Sequence, residues 1–423
     1  MTLNRREFMR WMAVSTGAAA VAGCAGAGGP SAGRVVVVGG GYGGATAARY
    51  IKQWSPDIDV TVIERSEVFV SCPISNLVLG GNTQMGNITM GYDGLRARGV
   101  RVVRGEATAI DPAAKQVRMA DGSTLAYDRV VVSPGVDFIY DGIAGLQSAE
   151  ARSRVPHAWK AGPETVALRK QLEAMPDGGV FVFHIPTAPF RCPPGPYERV
   201  CQVADYFKRA KPKSKIIVLD SNPDLVSKAG LFRAAWNGLY KGMIDYRPNS
   251  ELADVDVKGM TVKLTFDNVK GDVLNVVPPQ RAGDIARTTG LITANQRWCG
   301  VDWLTMESVA VKGVHVLGDA TLSAPAMPKS ASMANQHAKV CAAAVAALIK
   351  GQPVNPEPMM MNTCYSFVDG KSVMHVASVH AYDAAQKTMV AVKGSGGLST
   401  AASEIEGTYA WGWAKNIWSE ALG

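Results

Sequence analysis

Val35-Val36-Val37-Val38 is an unbroken β-branched run, and Gly39-Gly40-Gly41-Tyr42-Gly43-Gly44 follows it directly. Continuous rather than alternating hydrophobicity predicts a strand covered on both faces, as in a parallel sheet. Residues 45–54 then place small side chains on one face of a helical pattern, and residues 60–63 form a second apolar run that ends at Glu64. Strand, helix and strand make one βαβ unit. A further strand is predicted over residues 124–132, closing on Ser133-Pro134-Gly135. Residues 179–185 and 215–219 read as the strands of a second unit with its crossover helix over 197–208, and residues 314–317 form a late strand ending in Gly318-Asp319. Beyond a helical run at 338–348 and a proline-rich linker at 351–358, strand patterns near Phe367, at 373–379 and at 389–392 predict a smaller third domain. The indoles of Trp411, Trp413 and Trp418 fall on no single helical face, which favours core packing, with an interface or a wall of the ligand site as the alternatives.

Glycine spacing gives the first unit a chemistry. Gly39 suits the tight turn, Gly41 admits a phosphate to the backbone, and Gly44 allows close packing of helix on strand. The helix N-terminus behind them favours an anion. Glu64 stands 20 residues past Gly44, where an acidic side chain meets the adenosine ribose, with Arg65 beside it. The second unit has no such glycines. Its first strand runs into His184-Ile185-Pro186-Thr187-Ala188-Pro189-Phe190-Arg191-Cys192-Pro193-Pro194-Gly195-Pro196, a loop stiffened by proline. A nucleotide-binding fold without its nucleotide is predicted there, which weighs against electrons arriving from NAD(P)H.

Composition narrows the classes. The chain has 423 residues, 47% hydrophobic, with 44 Lys and Arg against 36 Asp and Glu. That is enough for two or three globular domains with full cores. The positive charge is scattered, and residues 211–215 hold its densest cluster, so no nucleic-acid partner is expected. At the N-terminus Arg5-Arg6 and Phe8 precede an apolar run at 11–23 that is too short and glycine-rich to cross about 30 Å of hydrocarbon. This segment, residues 1–32, resembles a twin-arginine export signal, which implies a periplasmic protein that folds around its cofactor before export, with no transmembrane helix. Val21-Ala22-Gly23-Cys24 also resembles a lipoprotein cleavage box. Lipidation of Cys24 and its removal by cleavage within residues 25–32 both stay open.

Six cysteines follow the signal, and six allow 15 pairings, so counting selects none. The six histidines are dispersed and CxxCH is absent, which argues against a metal site or covalent haem on this chain. The segments Ser71-Cys72-Pro73-Ile74-Ser75-Asn76, Cys192-Pro193-Pro194-Gly195-Pro196-Tyr197-Glu198 and Asn362-Thr363-Cys364-Tyr365-Ser366, with the two glycine motifs and the Trp-rich end, resemble the flavoprotein subunit of flavocytochrome c sulfide dehydrogenase. The resemblance implies an α/β protein of the glutathione-reductase-like flavoprotein kind. Two Rossmann-like domains, an FAD domain at 33–145 and 275–350 and a degenerate NAD-like domain at 146–274, would be joined by a small α+β C-terminal domain at 351–423.

It also implies FAD bound covalently through Cys72, with Gly318 and Asp319 at the ribityl chain, and a redox-active disulfide between Cys192 and Cys364. Glu198 would stand near the flavin as a proton acceptor, unless it is simply a helix first-turn carboxylate. Lys329 would place positive charge near the flavin, or be a solvated lysine. Sulfide would be the substrate and a separate mono- or dihaem c-type cytochrome the electron acceptor. Cys201, Cys299 and Cys341 match no role, and Cys341 reads as core. Two other readings share these features: a sulfide:quinone reductase, disfavoured by Lys415 and Glu420 in the tail, and a non-catalytic FAD-bound assembly subunit.

Overall fold

The computed structural model describes residues 31–423, and residues 32–423 form one compact unit. Arg5, Arg6 and Cys24, on which the export and lipidation expectations rest, lie outside the described residues.

The valine run is β1 (Gly33–Val38), with all four valines buried. Helix α1 (Tyr42–Trp54) returns the chain to β2 (Ile58–Glu64), parallel to β1, and β3 (Arg101–Arg104) extends the sheet past β2. On the other side of β1 lies β4 (Arg129–Val132). The single strand expected over 124–132 is two pieces: Thr124–Ala126 belongs to a separate antiparallel meander, and only β4 enters the parallel sheet. Asp128 causes the break. Its N–H donates to the Arg34 carbonyl at 2.8 Å and its carboxylate accepts the Arg34 N–H at 2.7 Å, which pulls the chain out of the meander and into register with β1.

The second domain holds β5 (Val180–Ile185), α2 (Gly195–Ala210), β6 (Lys215–Asp220), β7 (Ile244–Arg247) and β8 (Val273–Val276). Its sheet runs β7-β6-β5-β8, entirely parallel. Because β8 pairs with β5 through Val276, the expected boundary at residue 275 cuts a strand, and the chain returns to the first domain only beyond it. There β9 (Val314–Val316) completes the first sheet in the order β9-β4-β1-β2-β3. Helix α3 (Ala331–Ile349) packs on α1 through small buried faces, Ala334, Ala338, Cys341 and Ala342 against Gly43, Gly44, Ala47 and Ala48. Cys341 is thus a core residue.

The third domain is an antiparallel sheet of β10 (Met359–Phe367), β11 (Val373–Asp383) and β12 (Thr388–Ala391), followed by α4 (Glu404–Leu422). Ser403 caps α4, its hydroxyl accepting the Glu406 N–H at 3.4 Å. Gly407, Ala410 and Ala414 form the buried stripe of this helix, so the indoles flank it and the apolar period is hidden. Trp411 meets Phe367 edge-on, and the Trp418 Nε1–H donates to the Tyr42 hydroxyl at 3.0 Å, tying α4 to the first domain.

Asp220 ends β6 as Glu64 ends β2, but it faces its own domain. Its Oδ2 accepts from the Tyr197 and Tyr246 hydroxyls at 2.9 and 3.1 Å, and its Oδ1 accepts from the Asn222 N–H and Nδ2 at 2.9 and 2.7 Å. Tyr197, fully buried on α2, also accepts the Val226 N–H at 3.0 Å. Tyr197→Phe takes the acceptor from the Val226 N–H and one donor from the buried Asp220 carboxylate, so it should lower stability by about 1–3 kcal/mol. Chemical denaturation of the flavin-loaded protein reads the loss, and an unchanged midpoint would contradict the role given to this hydroxyl.

Candidate functional site

One cavity of 680 Å³ runs from the glycine turn after β1 to the cysteines of the second and third domains. Its volume lies within the range of cofactor sites, about 300–1,000 Å³. At the first end Gly39 adopts φ +97°, which only glycine takes without strain, and a Cβ there would overlap the Ser133 carbonyl. A Cβ on Gly44 would overlap the Gly39 carbonyl oxygen. A Cβ on Gly41 would meet nothing within 4 Å and would enter the cavity instead. Glu64 is aimed by two backbone donors, Gly40 N–H to Oε2 at 2.7 Å and Ser66 N–H to Oε1 at 2.8 Å. Arg65 lies at the rim, 4.0 Å from Glu106 and largely exposed.

Midway along the cavity Gly318 turns with φ +66° and Asp319 follows. The Asp319 Oδ1 atom is buried without a hydrogen-bond partner. Burial raises its pKa, while Arg191 and Lys329 act in the opposite direction. A buried carboxylate oxygen with no donor is costly and calls for a hydroxyl-bearing ligand. Together with the open Gly41 cradle it fits the ribityl and pyrophosphate parts of FAD. Lys329 is not in the cavity wall. Its ammonium lies 3.7 Å from the Trp298 ring centroid and donates to the Asp319 carbonyl at 3.0 Å and to the Thr321 carbonyl. It is not a solvated lysine: the Asp319 and Thr321 carbonyls hold its buried ammonium beside the ribityl-end carboxylate expected at Asp319.

Cys72, Cys192 and Cys364, from three separate segments, all line the cavity. Cys72 is placed by its carbonyl, which accepts from the Ser75 hydroxyl at 2.6 Å, and by neighbouring Ser71, whose hydroxyl shares a hydrogen bond with Tyr42 at 2.6 Å. Cys192 has φ +60°, unusual for a residue with a Cβ. Its N–H donates to the Lys329 carbonyl at 2.8 Å, and its carbonyl accepts the Gly195 N–H at 2.9 Å. The sulfur packs so closely over Gly195, in the first turn of α2, that a Cβ there would approach it to 2.8 Å. A helix N-terminus favours a thiolate. Burial first, then Cys364 and Glu198, push the Cys192 thiol up, and Arg191 pulls it down. Cys192 and Cys364 stand as free thiols, with no bond between them.

Glu198 lies in the first turn of α2, as the alternative reading has it, and is at the same time a buried cavity residue. It accepts from the Phe367 N–H at 2.9 Å and the Asn76 Nδ2 at 2.8 Å, and burial raises it above the ordinary carboxylate range. Asn76 in turn accepts from Arg199, a buried guanidinium at 3.2 Å. Sequence reasoning assigned no role to Arg191, Asn76, Arg199 or Lys228. Arg191 adjoins Cys192 and could have been noticed; it is half-buried, and Cys72, Asp319 and Cys192 hold its guanidinium charged. Asn76 stands in the Ser71–Asn76 motif without a role assigned there, and no local pattern marks Arg199 or Lys228. Trp413 of α4 also lines the cavity, so the tail supplies both core and wall. Cys201 and Cys299 are buried in hydrophobic clusters, as Cys341 is.

The fold and cavity define a flavoprotein oxidoreductase of the two-dinucleotide-domain, cysteine-containing class. Family models agree segment by segment. Residues 33–161 match the pyridine nucleotide-disulphide oxidoreductase model, 165–278 the central part of the sulfide dehydrogenase (flavocytochrome c) flavoprotein chain, and 356–422 the flavin-binding part of flavocytochrome c sulphide dehydrogenase. Over 45 residues the chain is 56% identical to the sulfide dehydrogenase (flavocytochrome c) flavoprotein chain of Chlorobaculum thiosulfatiphilum, covering 11% of this chain and 94% of that sequence. The chain belongs to the family of flavocytochrome c sulfide dehydrogenase flavoproteins, which are sulfide-oxidising FAD proteins. It is also 24% identical over 328 residues to the mitochondrial sulfide:quinone oxidoreductase of Dictyostelium discoideum, covering 72% of this chain and 68% of that one. The sulfide:quinone oxidoreductase structure from Aquifex aeolicus superposes with a TM-score of 0.72 at 18% identity, over 92% of this chain and 91% of that one, which establishes the shared fold.

Two glycine substitutions separate binding from packing. Gly41→Val should abolish flavin retention while leaving the melting temperature of flavin-free protein nearly unchanged, because its side chain enters the cavity. Gly44→Ala should destabilise the flavin-free protein itself by about 1–3 kcal/mol through overlap with Gly39. Flavin-to-protein absorbance ratios and thermal melts distinguish them, and equal melting losses in both would refute the division.

Proposed function

We propose that this protein oxidises sulfide through a Cys192–Cys364 disulfide, with FAD attached covalently through Cys72, and hands electrons singly to a c-type cytochrome. The observation that carries this reading is the convergence of Cys72, Cys192 and Cys364 on one cavity with Arg191 and Glu198. The second domain supports it further: its glycine loop is replaced by proline and its Asp220 is occupied internally, which disfavours NAD(P)H as donor.

Hydrosulfide is a good sulfur nucleophile near neutral pH. Its attack on the disulfide breaks the Cys192–Cys364 bond and forms one bond to the attacked sulfur. The proton of hydrosulfide stays on the resulting persulfide, and the electron pair of the broken bond remains on the other cysteine as a thiolate. Arg191 and the α2 N-terminus favour negative charge at Cys192, and Glu198, raised by burial, suits exchange of a proton within the cavity. Bound here, FAD supplies an acceptor for the electron pair and can release it one electron at a time. Glu64 and the Gly41 turn would hold its adenosine diphosphate, Asp319 its ribityl chain, and Cys72 its ring.

A cytochrome acceptor is supported by the family description and by the Chlorobaculum relative. The quinone reading is supported by the longer matches to sulfide:quinone oxidoreductases. Among the described residues no helix is long and apolar enough to cross a membrane. With the Arg5-Arg6 signal, export to the periplasm is part of the proposal.

Anaerobic addition of sulfide to purified protein should bleach the flavin absorbance, and oxidised cytochrome c should restore it faster than a soluble quinone does. Cys364→Ser should keep its flavin and lose the bleaching. No bleaching of the wild type would reject sulfide as donor, and restoration by quinone alone would reject the cytochrome. Acid precipitation tests the attachment separately: flavin should stay with the wild-type pellet and pass to the supernatant in Cys72→Ala.

A further inference from the structure

Lys228 belongs to none of the sequence motifs, yet it reaches into the chemistry. It has φ +52°, directly before the helix Ala229–Leu239, and is 5% exposed. Its ammonium leaves the second domain for the third, donating to the Cys364 carbonyl at 2.9 Å, the Ser366 hydroxyl at 2.8 Å and the Met374 carbonyl at 3.1 Å. An ammonium has three donors, and all three go to neutral acceptors. None of the ion pairs among the described residues includes Lys228. A buried cation without an adjacent anion is unfavourable, so its retention calls for a charge that forms nearby.

The groups facing it are few. Burial lowers Lys228 to about 8, and Cys364, then Glu198, Cys192 and Glu406, act to raise it again. Glu406, on α4, is already engaged by His375 at 3.0 Å and Ser399 at 2.7 Å. Glu198 is engaged by Phe367 and Asn76. Cys192 has Arg191 and the α2 N-terminus beside it, which leaves Cys364 as the group whose charge changes against Lys228. Burial raises its thiol, Lys228 is the foremost influence lowering it, Asn362 and Ser330 assist, and Glu198 opposes. Asn362 Oδ1 lies 3.4 Å from the sulfur.

We propose that the Lys228 ammonium is the fixed counter-charge for the anionic form of the Cys364 sulfur, making it an electrostatic positioning residue for the cysteine pair. Ionisation of Cys364 releases one proton and forms no bond, so the charge that appears beside Lys228 needs no further reactant. The catalytic meaning of this inference rests on reading Cys192 and Cys364 as the redox pair. Its physical content does not. Like other preorganised charges in a dry site, Lys228 would act most strongly where charge develops.

The test uses flavin-loaded, reduced protein carrying Cys192→Ser, in which Cys364 is alkylated by iodoacetamide across pH 6–11 and followed by mass spectrometry. With Lys228 present the midpoint should lie above that of an ordinary thiol, about 8.5, because burial outweighs the ammonium. Lys228→Met should raise it by at least about one unit, slowing alkylation at neutral pH roughly tenfold, and Lys228→Arg should restore most of it. An unshifted midpoint in a Lys228→Met protein that keeps its flavin and melting temperature would overturn the proposal. Should that variant fail to fold, Lys228→Gln is measured in its place, and an unshifted midpoint there would overturn the proposal equally. Sulfide-dependent bleaching is read independently, so failure of the functional reading and failure of this one are distinguishable.

Discussion

A backbone hydrogen bond joins the parts of this cavity: the Cys192 N–H to the Lys329 carbonyl, 2.8 Å, across the gap between the second domain's loop and the segment leading into α3. Cys192 is in a left-handed conformation, and its sulfur lies over the first turn of α2 against the second domain's hydrophobic cluster. Lys329 is fixed in turn, its ammonium held by the Asp319 and Thr321 carbonyls and stacked on Trp298. One short stretch of chain therefore sets both Cys192 and the Asp319 carboxylate. Strain at Cys192 is of the kind kept where a site requires it and the surroundings over-determine it.

The cavity is electrostatically unusual because the charges in its wall, together with Lys228 on the Cys364 backbone, do not simply cancel. Asp319 has an oxygen without a donor, Glu198 is raised by burial, and Arg191, Arg199 and Lys228 are cations with few direct counter-ions. Such groups reduce stability in the absence of ligand, so they are hard to explain as scaffold. They suit a place where an anionic cofactor binds and where thiolates come and go, since each charge is matched only when the chemistry supplies its partner.

The two Rossmann-like domains show how one backbone plan is kept for two purposes. After β1 the glycine turn leaves its backbone facing the cavity, and Glu64 is aimed by backbone donors at the ribose end. After β5 the proline loop delivers Cys192 to the equivalent helix N-terminus, and Asp220 is enclosed by Tyr197, Tyr246 and Asn222. The sulfur thus occupies the helix end where the first domain would receive a phosphate. This is a change of occupant within a retained fold, which fits a protein that takes electrons from a small sulfur nucleophile.

Local sequence determined the parts whose physics is local. The valine run and its glycines dictated a parallel strand and a close backbone turn, and the proline loop lacks the dinucleotide glycine fingerprint. Residue identity around Cys72, Cys192 and Cys364 indicated the family. Tertiary structure decided what depends on distant partners. Asp128 split the 124–132 segment by pairing with Arg34, 94 residues away. The tail became a helix because glycine and alanine, not the tryptophans, form its buried stripe. Lys329 turned from the cavity to carbonyl groups, and Lys228 reached a cysteine 136 residues distant. No periodicity encodes such contacts, because a long cationic side chain selects its acceptors only after the domains have closed around it.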